Sequence, residues 1–311
     1  MSGYSTIRVS APGSIMLMGE HAVLRGARAI ACAVNSYIHV ELIPRQDRQV
    51  LIHSALGEYS ASLDQLTPSD DLSFVVTAVR QWVDRLPCGF DLNIESEFSH
   101  TVGLGSSAAV VAALTVALDR FAGSELSREQ QFDAALRVIH EVQNGRGSGT
   151  DLAASLYGGL IAYRVNPREL VPLNGLPPIS LWYVGYKMKT PAVLELVEQR
   201  SQRFPGLYAG LDKLMAECCE QAEAAINASD WGALGELMNY YQGLMDALGV
   251  NDAQLSELIY RLRAEPGNRA AKISGSGLGD CVVVLGQGVP DGLAYEQIPV
   301  AVSARGAELD A

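Results

Sequence analysis

The chain has 311 residues, 48% hydrophobic and 19% charged, a mix that excludes a disordered chain and is long enough for two lobes. Its formal net charge is −12 and it contains only four lysines, Lys187, Lys189, Lys213 and Lys272. That balance argues against nucleic acid or an anionic membrane as partner, while a small phosphate held by backbone N–H groups and a metal remains compatible with it.

The N-terminal stretch MSGYSTIRVSAPGS has neither a basic nor an apolar signal region, and no apolar run reaches the roughly 20 residues a bilayer span needs, so a cytoplasmic protein is expected. Residues 7–10 lean towards a strand, as do 30–43, 49–52 and 90–94, which are rich in β-branched and aromatic residues. Between them, apolar residues at helical spacing predict a helix over 72–86. The run SAAVVAALTVALDRFAG, from Ser107, is apolar nearly all round and predicts a buried helix ending at Gly123. A charged amphipathic helix is expected over 128–143 and a strand over 157–164. The proline-containing stretch 166–178 divides the chain into expected lobes 1–165 and 166–311. A strand over 179–186 follows, then helices over 191–203, 211–228, 231–248 and 252–264. A glycine-rich turn flanked by two strands occupies 271–285. The fold class is α+β in two lobes, the second mainly helical. The five cysteines are odd in number and irregularly spaced, so neither a disulfide framework nor a zinc site is expected. Apolar helical faces in the second half would allow a homodimer.

Chemistry concentrates in four segments. Gly103-Leu104-Gly105-Ser106-Ser107-Ala108 leads straight into the buried helix. Its glycines let the backbone approach a ligand closely, and the free N–H groups of the helix start favour an anion. A plain Gly-Ser helix cap is the simpler reading of that segment alone. The sequence has no G-x-x-x-x-G-K-[ST] loop. The other three are Ala11-Pro12-Gly13-Ser14 running to Gly19-Glu20-His21-Ala22-Val23-Leu24, the stretch from His140 to Asp151, and Lys272 to Cys281 with its Gly275-Ser276-Gly277-Leu278-Gly279-Asp280 turn.

In this order and at these distances, the first, second and last of these glycine-bearing segments resemble the three signature motifs of GHMP kinases, from about residue 8 to residue 285. The resemblance implies a first lobe like the second domain of ribosomal protein S5, an α+β second lobe, and an active site in the cleft between them. It implies ATP and Mg²⁺ as cofactors. Gly103, Leu104, Gly105, Ser106, Ser107 and Ala108 would wrap the phosphates, with Gly275, Ser276 and Gly277 supporting them. Asp151 would act as general base or orient the accepting hydroxyl. Ser107 and Glu141 would hold the metal, although Glu141 is one residue out of the family's register.

Within the family, GEHAVL and the segment MNYYQGLMDALGV look most like mevalonate kinases. The implied partner is then a small alcohol, mevalonate phosphorylated on its 5-hydroxyl for isoprenoid synthesis, with Glu20, His21, Ser148 and Thr190 as substrate contacts. The Asp-Cys ending and the QNG…GSG run are more like phosphomevalonate kinases, which makes phosphomevalonate the second candidate. A decarboxylase or a non-catalytic protein on the same fold is the alternative from another class. One departure stands out: mevalonate kinases usually read PGK in the first motif, and here it is Pro12-Gly13-Ser14. Lys187, Lys189 or Arg146 would have to supply the missing cation, each otherwise a solvated surface charge.

Overall fold

In a computed structural model describing residues 5–99 and 102–310, two sheets and eight helices are arranged around two hydrophobic cores. The first sheet has strand order β12-β1-β2-β5-β3-β4, with β6 on the far part of β2 and β7 beyond it. Its strands are β1 (Ile7–Met18), β2 (Ala29–Pro44), β3 (Gln49–Ser54), β4 (Gly57–Ser62), β5 (Phe90–Ser96), β6 (Leu160–Arg164), β7 (Glu169–Leu173) and β12 (Glu308–Leu309). Four helices belong with it: α1 (Ser73–Trp82), α2 (Ser106–Ala122), α3 (Arg128–Val142) and α4 (Thr150–Tyr157). The second sheet, β11-β8-β10-β9, comprises β8 (Ile179–Lys187), β9 (Asn268–Ser274), β10 (Gly279–Gly286) and β11 (Glu296–Ile298). With it go α5 (Thr190–Arg203), α6 (Pro205–Asn227), α7 (Trp231–Leu248) and α8 (Ala253–Ala264).

The long strand β1 joins the two cores. Ile7, Val9 and Ala11 pack into the first, whereas Ile15, Leu17 and Met18 pack into the second. A register shift between Pro12 and Gly13 marks the changeover, as expected where an extra residue bends a strand and re-aims its side chains. The strand expected at 7–10 thus runs on through Pro12 and Gly13 to Met18 and places Ser14 on strand backbone, while Glu20 and His21 lie in the turn beyond it.

The helix α2 is the axis of the first lobe. From Ala108 to Leu118 its residues are buried save Val110, which is why its sequence shows no polar face. Gly105 caps its start and Gly123 its end, both in the left-handed region. Capping also fixes α3, where Ser127 and Gln130 form a reciprocal capping box.

The expected division at 165/166 is crossed twice by the chain. β7 lies within the proline-containing stretch yet pairs with β6 of the first sheet. After β11, residues 299–310 return to the first lobe: Ser303 N–H donates to the Ala33 carbonyl at 2.9 Å, and β12 pairs with β1. No described helix is long and apolar enough to cross a membrane.

Candidate active site

Two cavities meet beneath the start of α2. One, of about 260 Å³, is lined by Gly105, Ser106, Ser107, Ala108, Asp151 and Lys187, among others. The other, of about 490 Å³, is lined by residues including Glu20, His21, Arg146, Ser148, Thr190 and Ser276. Gln143, Gly147, Ser148, Asp151 and Thr190 belong to both walls. Asp151 thus stands at the junction, in the first turn of α4.

Three motifs lock together at that junction. Ser14 N–H donates to the Leu104 carbonyl at 2.9 Å, tying β1 to the loop before α2. The Ser14 hydroxyl donates to Asp151 Oδ1 at 3.0 Å. Gly105 lies so close that a Cβ there would overlap the Ser14 oxygen, and its φ of +63° disfavours other residues as well. Burial pushes the Asp151 carboxyl above the ordinary carboxylate range. The Ser14 hydrogen bond and the Lys187 charge pull it back down, and the neighbouring Asp280 pushes it up. A carboxylate raised in this way is a better proton acceptor than one free in water.

Lys187, at the end of β8, places Nζ 2.7 Å from Asp280 Oδ2. Lys189 caps the start of α5 through its backbone and is not among the residues lining either cavity. Arg146 lines the larger cavity.

The residues expected to touch substrate divide into two kinds. His21 Nε2 donates to the Ser276 carbonyl at 2.9 Å, leaving Nδ1 buried without a protein partner. Burial lowers the His21 pKa, so the ring is neutral and Nδ1 is an acceptor. Ser148 and Thr190 both line the cavity, with the Ser148 hydroxyl 3.0 Å from that of Thr150 and the Ser276 hydroxyl 3.5 Å from that of Thr190. Glu20 differs. Its Oε1 accepts from Lys272 Nζ at 2.5 Å, both side chains at most 2% exposed, and Tyr241 donates to its carbonyl at 2.7 Å. Although Glu20 borders the cavity, its charge is engaged by the scaffold.

Of the phosphate-loop residues, Gly105 to Ala108 line the smaller cavity, while Leu104 is fully buried behind them. Gly103 is likewise behind, packed on the Asp280 carboxylate. Gly275 and Ser276 line the larger cavity rather than the smaller one, and Gly277 packs against Val250. Glu141 is not brought to Ser107. It lies near the end of α3 and its carboxylate is taken up by Arg80 and, at 3.0 Å, by Gln81, both on α1. The one-residue offset in the sequence has a physical meaning: on a helix it turns the side chain by about 100°, here onto the flank of α1. Among the described residues no group of three or more His, Cys, Asp or Glu side chains could hold a metal. Ser107 and Asp151 lie on the walls of one cavity with other oxygen donors, Ser106, Ser148 and Thr190, and Asp151 is the one carboxylate among its described lining residues.

A third cavity, of about 500 Å³, opens beyond Ser106 and Ser107 and is walled by Ile38, Leu56, Leu72, Phe74, Val75, Ile94, Phe98 and Val110, among others. None of these carries a motif: Ile38, Leu72, Phe74, Val75, Ile94 and Val110 read as ordinary core of expected strands and helices, and Leu56 and Phe98 lie between elements. The signal available was weak: Val110 is the one apolar residue of the buried run in α2 that is not itself buried.

The comparisons with known proteins agree with this arrangement. Residues 73–159 match the family model described as GHMP kinases N terminal domain, and residues 222–298 match GHMP kinases C terminal. The chain is 32% identical over 296 residues to a mevalonate kinase from Pyrococcus furiosus, covering 89% of this chain and 88% of that protein. Its fold resembles that of a Lin0012 protein from Listeria innocua, with a TM-score of 0.86 at 23% identity over 98% and 99% of the two chains. A Methanococcus jannaschii mevalonate kinase has a TM-score of 0.81 at 20% identity, covering 96% and 98%. With both family models matched in order and a relative of this identity spanning nearly the whole length, the chain belongs to the GHMP kinases, ATP-dependent kinases of small molecules.

Proposed function

We propose that this protein transfers the γ-phosphoryl group of ATP to the hydroxyl of mevalonate. The observation that carries the reading is the place of Asp151, a partly buried carboxylate at the junction of the cavity under α2 and the larger cavity beside it. The relative from Pyrococcus furiosus, named a mevalonate kinase, supplies the substrate.

The chemistry follows from the walls. A flat base with an apolar face and polar edges suits the third cavity, which sets Ile38, Leu72, Phe74, Val75, Ile94 and Phe98 beside polar groups such as Asp71, Ser96 and Glu97. The phosphates would then run past Ser106 and Ser107 to the α2 N-terminus, whose unpaired N–H groups and dipole hold negative charge. Ser107 and Asp151 would contact a Mg²⁺ ion shared with the phosphates, which would screen their charge. In the larger cavity, His21 Nδ1, Ser148 and Thr190 orient the alcohol, and Arg146 is the cation available to its carboxylate. Asp151, aimed by the Ser14 hydroxyl, takes the proton from the attacking oxygen.

The test is ADP formation with ATP and Mg²⁺, run in parallel on mevalonate and 5-phosphomevalonate. Turnover on mevalonate is expected, and the Asp151→Asn variant should lose on the order of a hundred- to ten-thousandfold in kcat while still binding ATP. Turnover on the phosphorylated compound alone would replace the substrate, and full activity of the variant would remove Asp151 from its role.

A further inference from the structure

Phosphoryl transfer spreads negative charge over the group in flight, and a fixed cation beside it lowers the barrier. At position 14 the structure offers a hydroxyl, already donating to Asp151. Among the described residues lining the cavity under α2, Lys187 is the one lysine or arginine.

The placement of Lys187 is built, not incidental. β8 and β10 pair with Lys187 opposite Gly279, and the register slips between Gly279 and Cys281. Asp280 occupies that slip with a φ of +71°, outside the usual range for a non-glycine residue. The irregularity aims its carboxylate at Lys187, with Nζ to Oδ2 at 2.7 Å. On its other side the carboxylate rests on Gly103, where any Cβ would overlap it. Its Oδ1 is buried and has no hydrogen-bond partner. An unpaired buried carboxylate oxygen carries a cost, so a site that retains one beside a bulge is a place to look for function.

We propose that Lys187 is the cation that stabilises the phosphoryl group in flight, and that Asp280 is a positioning residue that holds it there. The proposal rests on the kinase reading above and assigns the position-14 deficit to one lysine of the two in its segment. As the bond from the γ-phosphorus to the ADP oxygen breaks, the bond to the alcohol oxygen forms and the alcohol proton passes to Asp151. Lys187 keeps its proton throughout.

Lys187→Met should lower kcat by on the order of a hundredfold or more, while the Kd for MgATP, measured calorimetrically without alcohol, stays within a few-fold of native. Lys187→Arg should recover part of the loss. Asp280→Asn should lower kcat about tenfold or more through misplacement of the ammonium, with KM little changed. The double variant should be no slower than Lys187→Met alone, because the two act as one unit. A Lys187→Met enzyme with kcat within about threefold of native would overturn the proposal. So would losses that multiply in the double variant, which would mean that Asp280 acts by another route. Each variant is read both with mevalonate and as slow hydrolysis of ATP by water. If the native protein ignores mevalonate, the substrate reading fails, and the hydrolysis series still judges Lys187.

Discussion

Two lysine–carboxylate pairs tie the last glycine motif to its surroundings, and they are built in opposite ways. Lys272 and Glu20 are sealed, with side chains 0% and 2% exposed, Nζ to Oε1 at 2.5 Å, and the ammonium 5.4 Å from the centre of the Tyr241 ring. Lys187 and Asp280 are 36% and 8% exposed, and Lys187 lines a cavity. Each pair leaves one carboxylate oxygen buried without a partner, Glu20 Oε2 in the sealed pair and Asp280 Oδ1 in the open one. The difference lies in the lysines. The Lys272 ammonium is wholly taken up inside the protein, by Glu20, by the Ile273 carbonyl and by the Tyr241 ring, as an ion pair taken out of water requires. Lys187 has one carboxylate partner and lines a cavity. A cation fully engaged by its own fold is scaffold, and one that lines a cavity can act on what the cavity holds.

The largest expected effect separates the two pairs by stability. Lys272→Met strands the Glu20 carboxylate, whose pKa is already pushed up by burial against the pull of Lys272. The loss should be about 3–5 kcal/mol, and adding Glu20→Gln should return most of it. Lys187→Met, at a partly exposed pair, should change stability by no more than about 1 kcal/mol. Urea unfolding of these three variants beside the native protein measures this. If Lys272→Met unfolds at the native midpoint, the distinction between the pairs collapses.

A smaller effect concerns the pH dependence of the base. Asp151 is raised by burial and held down in part by the Ser14 hydrogen bond and the Lys187 charge, with Asp280 opposing. Its ionised form is the active one, so kcat falls as pH drops through a pKa above the ordinary carboxylate value. Ser14→Ala removes a bond to the charged form, so that pKa rises and the acid limb moves to higher pH. At the alkaline plateau kcat should fall about tenfold or less, as for loss of one hydrogen bond to a charged group. An acid limb that stays in place, or moves to lower pH, would show that Ser14 does not support the ionised carboxylate.

How much of this was legible in the sequence depended on whether a residue's neighbours in the chain decided its role. The helix α7 was read to both ends because Asp230 caps it and Gly249 stops it. The phosphate loop was legible for the same reason, its glycines and its helix being adjacent. β4 is not marked in the sequence because its alternation is faint: the inward residues Gly57, Tyr59 and Ala61 are only half-buried and none is β-branched. β1 was cut short because Pro12 and Gly13 signal a turn unless the partner strand β2 is known to carry them. Asp280 stands within a motif, but nothing adjacent to it in the chain gives it a role. Its contacts come from β8 and from the loop before α2, far away in sequence. Lys187 and Lys189 look alike in the six-residue segment Tyr186 to Pro191, and only the sheet register tells them apart.

Glu141 gives the smallest expected effect and the cleanest contrast with Asp280. Both are carboxylates from motif-bearing segments, each beside a basic partner. Glu141 is 44% exposed, paired with Arg80 and Gln81 on the outer flank of α1, with no orphaned oxygen and no cavity wall. A pair of that kind contributes between nothing and about 1 kcal/mol. Glu141→Gln should therefore leave kcat and the Mg²⁺ concentration for half-maximal rate within about twofold of native, since the residue touches neither Ser107 nor Asp151. Titration of the rate with Mg²⁺ decides the matter. A tenfold rise in the metal requirement would mean that α3 turns when ATP binds and delivers this carboxylate to the phosphates.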